Sequence, residues 1–172
     1  IIYEVDRIRD GGSFTTRRVV AIQKGRPIFN LAASFQVVEP GFEHQADMPE
    51  VPAPESLESD LELARKVEEK IPPALRQIAL AERPIETRPV EPYDLLEPRE
   101  MPPRRCVWYR TRGTLPDGDA LHRYMLAYAS DFHFLGTALQ VHGAHWLMPD
   151  MQVASLDHAM WFHRPLRLDE WL

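Results

Sequence analysis

Twelve of the sixteen prolines in this 172-residue chain fall between Pro40 and Pro103, and no other feature limits its fold so strongly. Proline has no backbone N–H and its ring clashes with the preceding helical turn, so it ends helices and is confined to the margins of sheets. The middle of the chain can therefore be neither one long helix nor a central strand. It is predicted to be a connector, residues 39–103, with short structured inserts between two flanks of regular structure, 1–38 and 104–172. One insert is helical. Leu57, Leu61, Ala64, Val67 and Ile71 repeat at the three-four spacing of an amphipathic face, which predicts a helix over about 56–71 closed by Pro72-Pro73.

The first flank holds three strand-like runs, Ile1 to Arg9, Ser13 to Gln23 and Pro27 to Val37. They are broken by Asp10-Gly11-Gly12 and Lys24-Gly25-Arg26, short glycine-containing links of the hairpin kind. An antiparallel three-strand meander is expected. The second flank opens on a strand, Arg104 to Arg112, with Cys106-Val107-Trp108-Tyr109 apolar and aromatic. Asp119 is then placed as an N-cap, and Leu121, Met125, Tyr128, Phe132 and Leu135 form an apolar stripe that predicts a central helix over about 119–135, ended by Gly136. Gln152 to His163 reads as a further apolar strand, with Trp161-Phe162 as core. The plan is α+β, an antiparallel sheet around one buried helix.

Composition excludes several classes. With 44% hydrophobic and 27% charged residues the chain should fold, and a formal net charge of −6 without a basic run argues against nucleic acid as a partner. No stretch reaches the ~18 consecutive apolar residues of a membrane helix. The single cysteine, Cys106, forbids an internal disulfide and suits a reducing, intracellular setting; in a strand it is expected to be a small apolar core residue. The chain starts inside a strand-like run at Ile1 and stops on Trp171-Leu172 without a breaker, so an internal piece of a longer polypeptide is expected.

Among candidate groups, Asp131 lies at the margin of the apolar stripe beside Tyr124 and Tyr128. A carboxylate there would be partly desolvated and more basic, which suits taking a proton from water. A solvated or capping carboxylate is the bland alternative. Ser155, Asp157 and His163 share one side of the 152–163 run, yet no G-x-S-x-G elbow accompanies them, and Asp157-His158 reads as a structural pair. Six histidines (His122, His133, His142, His145, His158 and His163) crowd the last third, but no H-E-x-x-H places two of them as zinc ligands. Arg7, Arg9, Arg17 and Arg18 could share a sheet face toward a phosphate, although solvated sheet-face arginines are the commoner outcome.

The motifs then carry a resemblance. Arg9-Asp10-Gly11-Gly12-Ser13-Phe14, Thr16-Arg17-Arg18-Val19, Gly25-Arg26-Pro27-Ile28-Phe29 and Ala33-Ser34-Phe35-Gln36 resemble the first half of the type II acyl-CoA thioesterases. Tyr128-Ala129-Ser130-Asp131, Gly136-Thr137-Ala138-Leu139 and Ser155 through Pro165 resemble that family's later motifs. The resemblance implies a double hotdog, two tandem copies of a helix cradled by an antiparallel sheet, both incomplete in this chain. It implies hydrolysis of acyl-CoA to free acid and CoA without cofactor or metal, through a water held by an Asp, a Ser or Thr and a Gln. Asp131 takes the first role and Ser155 the second; the Gln falls beyond Leu172 by the family pattern. Such a chain is expected to associate, as a homo-oligomer, and to work in the cytoplasm, or in peroxisomes if eukaryotic. A hotdog piece that binds acyl-CoA or a partner subunit without hydrolysing it, and more distantly a histidine-based metal hydrolase, are the competing readings.

Overall fold

Alternation of apolar and polar side chains through the first 36 residues yields β1 (Ile2–Asp10), β2 (Phe14–Gln23) and β3 (Arg26–Gln36), paired antiparallel in the order β1-β2-β3. The Lys24-Gly25 link has φ of 50° and 73°, the doubly left-handed backbone that a two-residue hairpin requires. Register sets the faces: Tyr3 opposes Ala21, which opposes Phe29, and Val5 opposes Val19, which opposes Leu31. One face is thus apolar, while Asp6 opposite Arg18 marks the other. The arginines are engaged within the sheet, Arg17 with Asp10 and the Arg9 carbonyl and Arg18 with Asp6.

The computed structural model describes all 172 residues, and the chain divides into two units, Ile1–Met48 and Pro49–Leu172. The predicted connector is thereby split. Residues 39–48 go with the first sheet, and the remainder folds with the second flank. That remainder contributes α1 (Asp60–Lys66), α2 (Pro73–Ala79) and β4 (Ile85–Pro89), of which α2 and β4 were not expected. The expected 56–71 helix is shorter than its apolar pattern. Ser59 caps α1 through a reciprocal box with Glu62, and Val67 at φ −115° turns the chain out before Pro72. Pro73 stands at the first turn of α2, where its missing N–H has no partner to lose.

β4 pairs antiparallel with β5 (Val107–Thr111). The outer edge of β5 is closed by the chain's own last residues: Tyr109 and Leu172 exchange both backbone hydrogen bonds at 2.9 and 3.0 Å, and Thr111 N–H donates to Leu168 O. Leu168 is fully buried, with Ile85 and Ala129, against Tyr109, Met125, Leu126, Phe132 and Leu166. Its own N–H donates to His122 Nδ1 at 3.0 Å.

Several expectations for the second flank are corrected. The helix over 119–135 is two helices, α3 (Asp119–Ala129) and α4 (Phe134–Gln140). The Ser130 hydroxyl donates back to Ala127 O, and His133 at φ −120° starts the second helix. Gly118 caps α3, leaving Asp119 in its first turn paired with Arg123, and Gly136 lies inside α4 rather than after a helix. The buried face is also rotated from the expected stripe: His122 and Ala129 are buried, whereas Leu121 and Tyr128 are exposed.

The strand expected at 152–163 is absent. β5 already has the Leu168–Leu172 run along its outer edge, and no backbone hydrogen bond joins residues 152–163 to a neighbouring strand. Leu156 and Trp161 are consequently exposed instead of core. Cys106 precedes β5 and is only half-buried.

Candidate active site

Asp131 stands in the short turn between α3 and α4, just past the α3 C-terminus. Its side chain is 58% exposed, so the desolvated margin expected from the stripe is not its setting. What surrounds it is an imidazole and a hydroxyl. His158 Nδ1 faces Asp131 Oδ1 at 3.9 Å, and His158 Nε2 lies 2.9 Å from Ser130 Oγ, with the Phe134 ring tilted over the imidazole at 5.7 Å. A carboxylate, an imidazole and a hydroxyl are thus joined through one histidine.

Ser155 lies three residues before His158 on the same extended segment, exposed and without a hydrogen bond to Asp131. The structure therefore brings Asp131 together with Ser130 and His158, and keeps Ser155 on the neighbouring loop. The expected Asp157-His158 pair is replaced by this Ser130–His158–Asp131 cluster. Sequence reasoning missed Ser130 and His158 because their proximity joins residues 28 apart; the only local signal was Ser130 beside Asp131 at a helix end. No group of three His, Cys, Asp or Glu side chains is positioned to hold a metal ion.

A second polar chain runs deeper in the same unit. Tyr109 Oη and His133 Nδ1 are 2.5 Å apart, His133 Nε2 faces Asp60 Oδ2 at 3.6 Å, and the Thr87 hydroxyl donates to the same Asp60 oxygen. Burial first, and then the Asp60 carboxylate, push the Tyr109 hydroxyl up to about 12. The phenol therefore stays protonated beside Nδ1, with Nε2 on the Asp60 side. β5, α4, α1 and β4 are tied by this one chain.

The comparisons bear on the family of this antiparallel α+β chain and on its fold. The acyl-CoA thioesterase family model matches residues 74–172, and the chain belongs to that family. Human acyl-coenzyme A thioesterase 8 is 42% identical over 180 residues, covering 100% of this chain and 56% of that protein. Acyl-CoA thioesterase 2 of Haemophilus influenzae is 40% identical, covering 99% of this chain and 60% of its own length. The crystal structure of the acyl-CoA thioesterase II TesB2 from Mycobacterium marinum is 43% identical with a TM-score of 0.73, over 98% of this chain and 57% of the other. The α+β hotdog class expected from the sequence is borne out by this likeness. The chain spans somewhat more than half the length of the relatives it matches. No helix of the chain is long and apolar enough to cross a membrane.

Proposed function

We propose that the protein containing this chain hydrolyses acyl-CoA thioesters, water and thioester giving a free carboxylic acid and CoA thiol. The observation that carries this is identity of 40–43% to acyl-CoA thioesterases across nearly the whole chain. Asp131 is the base in this reading: its exposed carboxylate takes a proton from water as the oxygen attacks the carbonyl carbon, and the tetrahedral intermediate expels the thiolate, which recovers a proton. Ser155 supplies a hydroxyl to orient that water, and the Gln of the family pattern comes from outside these residues. A thiolate is a good leaving group, so neither metal nor covalent intermediate is required by the chemistry. The protein acts in the cytoplasm, or in peroxisomes of a eukaryote, a reading supported by the single cysteine of this chain, and as a homo-oligomer, a reading that rests on the family resemblance alone.

The absence of a hydrogen bond between Asp131 and Ser155 favours a second reading, a chain that binds acyl-CoA without hydrolysing it. Thiol release from octanoyl-CoA by the complete polypeptide separates the two. Asp131→Asn should lower kcat by roughly 10²-fold or more, the usual range for a lost acid–base group, and Ser155→Ala should lower it less. Unchanged rates in both variants, or binding of octanoyl-CoA without thiol release by the unmodified protein, defeats the hydrolytic reading.

A further inference from the structure

A cavity of about 550 Å³ in the second unit is lined by neither Asp131 nor Ser155. Its lining is of two kinds. Ala64, Val67, Leu75 and Ile78, on and around α1 and α2, are aliphatic, whereas Arg105, His133, Asp60 and Thr87 are polar. Pockets of this size, mostly apolar with a few placed polar groups, are where small amphipathic ligands bind.

Arg105 is the unusual member. Its guanidinium is half-buried, with Nε and Nη2 donating to Gln140 Oε1 at 3.1 and 2.5 Å, and it lies 5.4 Å over the Tyr93 ring. Gln140 is itself fully buried and donates to the carbonyls of Pro102 and Arg104, so this guanidinium is held from behind. Gly136 makes room for it: a Cβ there would stand 3.0 Å from Arg105 Nη1. No carboxylate lies within ion-pair distance of Arg105, and Nη1 has no protein acceptor. Asp60 is already engaged by Thr87 and His133, and the other guanidinium of the lining without an ion pair, Arg83, is exposed to solvent. The Asp60 charge reaches Arg105 only beyond ion-pair distance, so this half-buried, rigidly held cation keeps a desolvation penalty that a bound anion relieves.

We propose that this cavity binds an alkyl carboxylate, its head accepting a hydrogen bond from Arg105 Nη1 and its chain lying against the aliphatic side chains of α1 and α2. One free guanidinium edge matches a monoanion, and the Asp60 carboxylate nearby opposes a dianionic head such as a phosphate monoester. A neutral head, an ester or an alcohol, would leave the charge unanswered. The binding needs no turnover and stands whether or not the protein hydrolyses thioesters.

Isothermal titration calorimetry on the complete polypeptide tests it with octanoate, octan-1-ol and octyl phosphate. Octanoate should bind saturably and at least tenfold more tightly than either of the others. Arg105→Met should remove that advantage while leaving octan-1-ol unchanged, and Ala64→Trp, which fills the aliphatic side, should weaken acid and alcohol alike. If far-UV circular dichroism shows that Arg105→Met does not fold, the acid-to-alcohol ratio of the unmodified protein together with Ala64→Trp decides. Failure of octanoate to bind, equal affinity for acid and alcohol, or octanoate binding indifferent to either substitution overturns the proposal. Indifference to both, with saturable binding retained, assigns the acid to another site such as that of Asp131.

Discussion

Leu168 and Leu156 lie twelve residues apart in the same C-terminal stretch, one fully buried and the other 94% exposed. Truncating each to alanine asks whether the buried tail holds the second unit together. For Leu168→Ala, removing a buried leucine side chain and leaving part of its cavity costs about 2–5 kcal/mol. Most of its neighbours, Tyr109, Met125, Leu126, Phe132 and Leu166, are only partly buried and can close in, which places the loss at about 3 kcal/mol. With a urea slope of about 1.5 kcal/mol per molar, the midpoint should fall by roughly 2 M. Leu156→Ala should change stability by less than about 0.5 kcal/mol. All four tryptophans, Trp108, Trp146, Trp161 and Trp171, lie in the second unit, so their fluorescence follows its unfolding without interference from the first. A loss under about 1 kcal/mol for Leu168→Ala, or equal losses for both variants, would refute the reasoning that the tail is part of this core.

Two further outcomes are expected. Ser59→Ala removes the side-chain acceptor of the Glu62 N–H and breaks the capping box, and should lower stability by about 1 kcal/mol in the same urea titration; no change would mean that α1 contributes nothing to the unit. Glu86 contributes to the acid pH dependence beside Glu62 and Asp169, whose carboxyls are also held low by their hydrogen bonds. Burial pushes its carboxyl up, but hydrogen bonds and charge from Arg88 and Arg110 outweigh burial and hold it below its ordinary 4.5. A depressed folded value means that its stabilisation is fully present above the unfolded value and is lost as the pH falls through the folded one, that is, below about 4.5. Midpoints measured down a pH series should drop in that window, and Glu86→Gln should flatten the drop; an identical acid limb in the variant would contradict the assignment.

The first sheet was legible in the sequence to within a residue or so at each strand end, because Asp10-Gly11-Gly12 and Lys24-Gly25 are local turn signals that need no tertiary context. β5 was found for the same reason of local composition. β4 was missed because Pro84 and Pro89 flank it and masked a strand of five residues; Pro89 stands at its very end, where the following Val90 N–H takes up the pairing with Cys106 O. The reverse error at 152–163 shows what strand propensity lacks. Apolar residues there match a strand pattern, but a strand exists only beside a partner with free backbone groups. At the site, Asp131 was legible through its motif and its helix-end position. His158 against Ser130 and Asp131, and Arg105 against Gln140, were not, since each contact joins residues 27 to 35 positions apart and depends on where the α3–α4 break falls.

The edge that Leu168–Leu172 closes along β5 has no counterpart in the first unit. There, β1 and β3 each present an outer row of backbone donors and acceptors that no strand of that unit takes up. The two rows are not equivalent. Each pairing to β2 carries one register shift, between Asp6 and Arg9 in β1 and at Ile28 in β3, so the longest regular run is Ile2–Asp6 in β1 and Phe29–Gln36 in β3. The buried Leu168 core bears on how hard the second unit is to unfold, whereas the longer regular margin of β3 is a place for another strand to pair. A lysine introduced on that margin would disfavour such pairing and leave the urea midpoint of the second unit where it was.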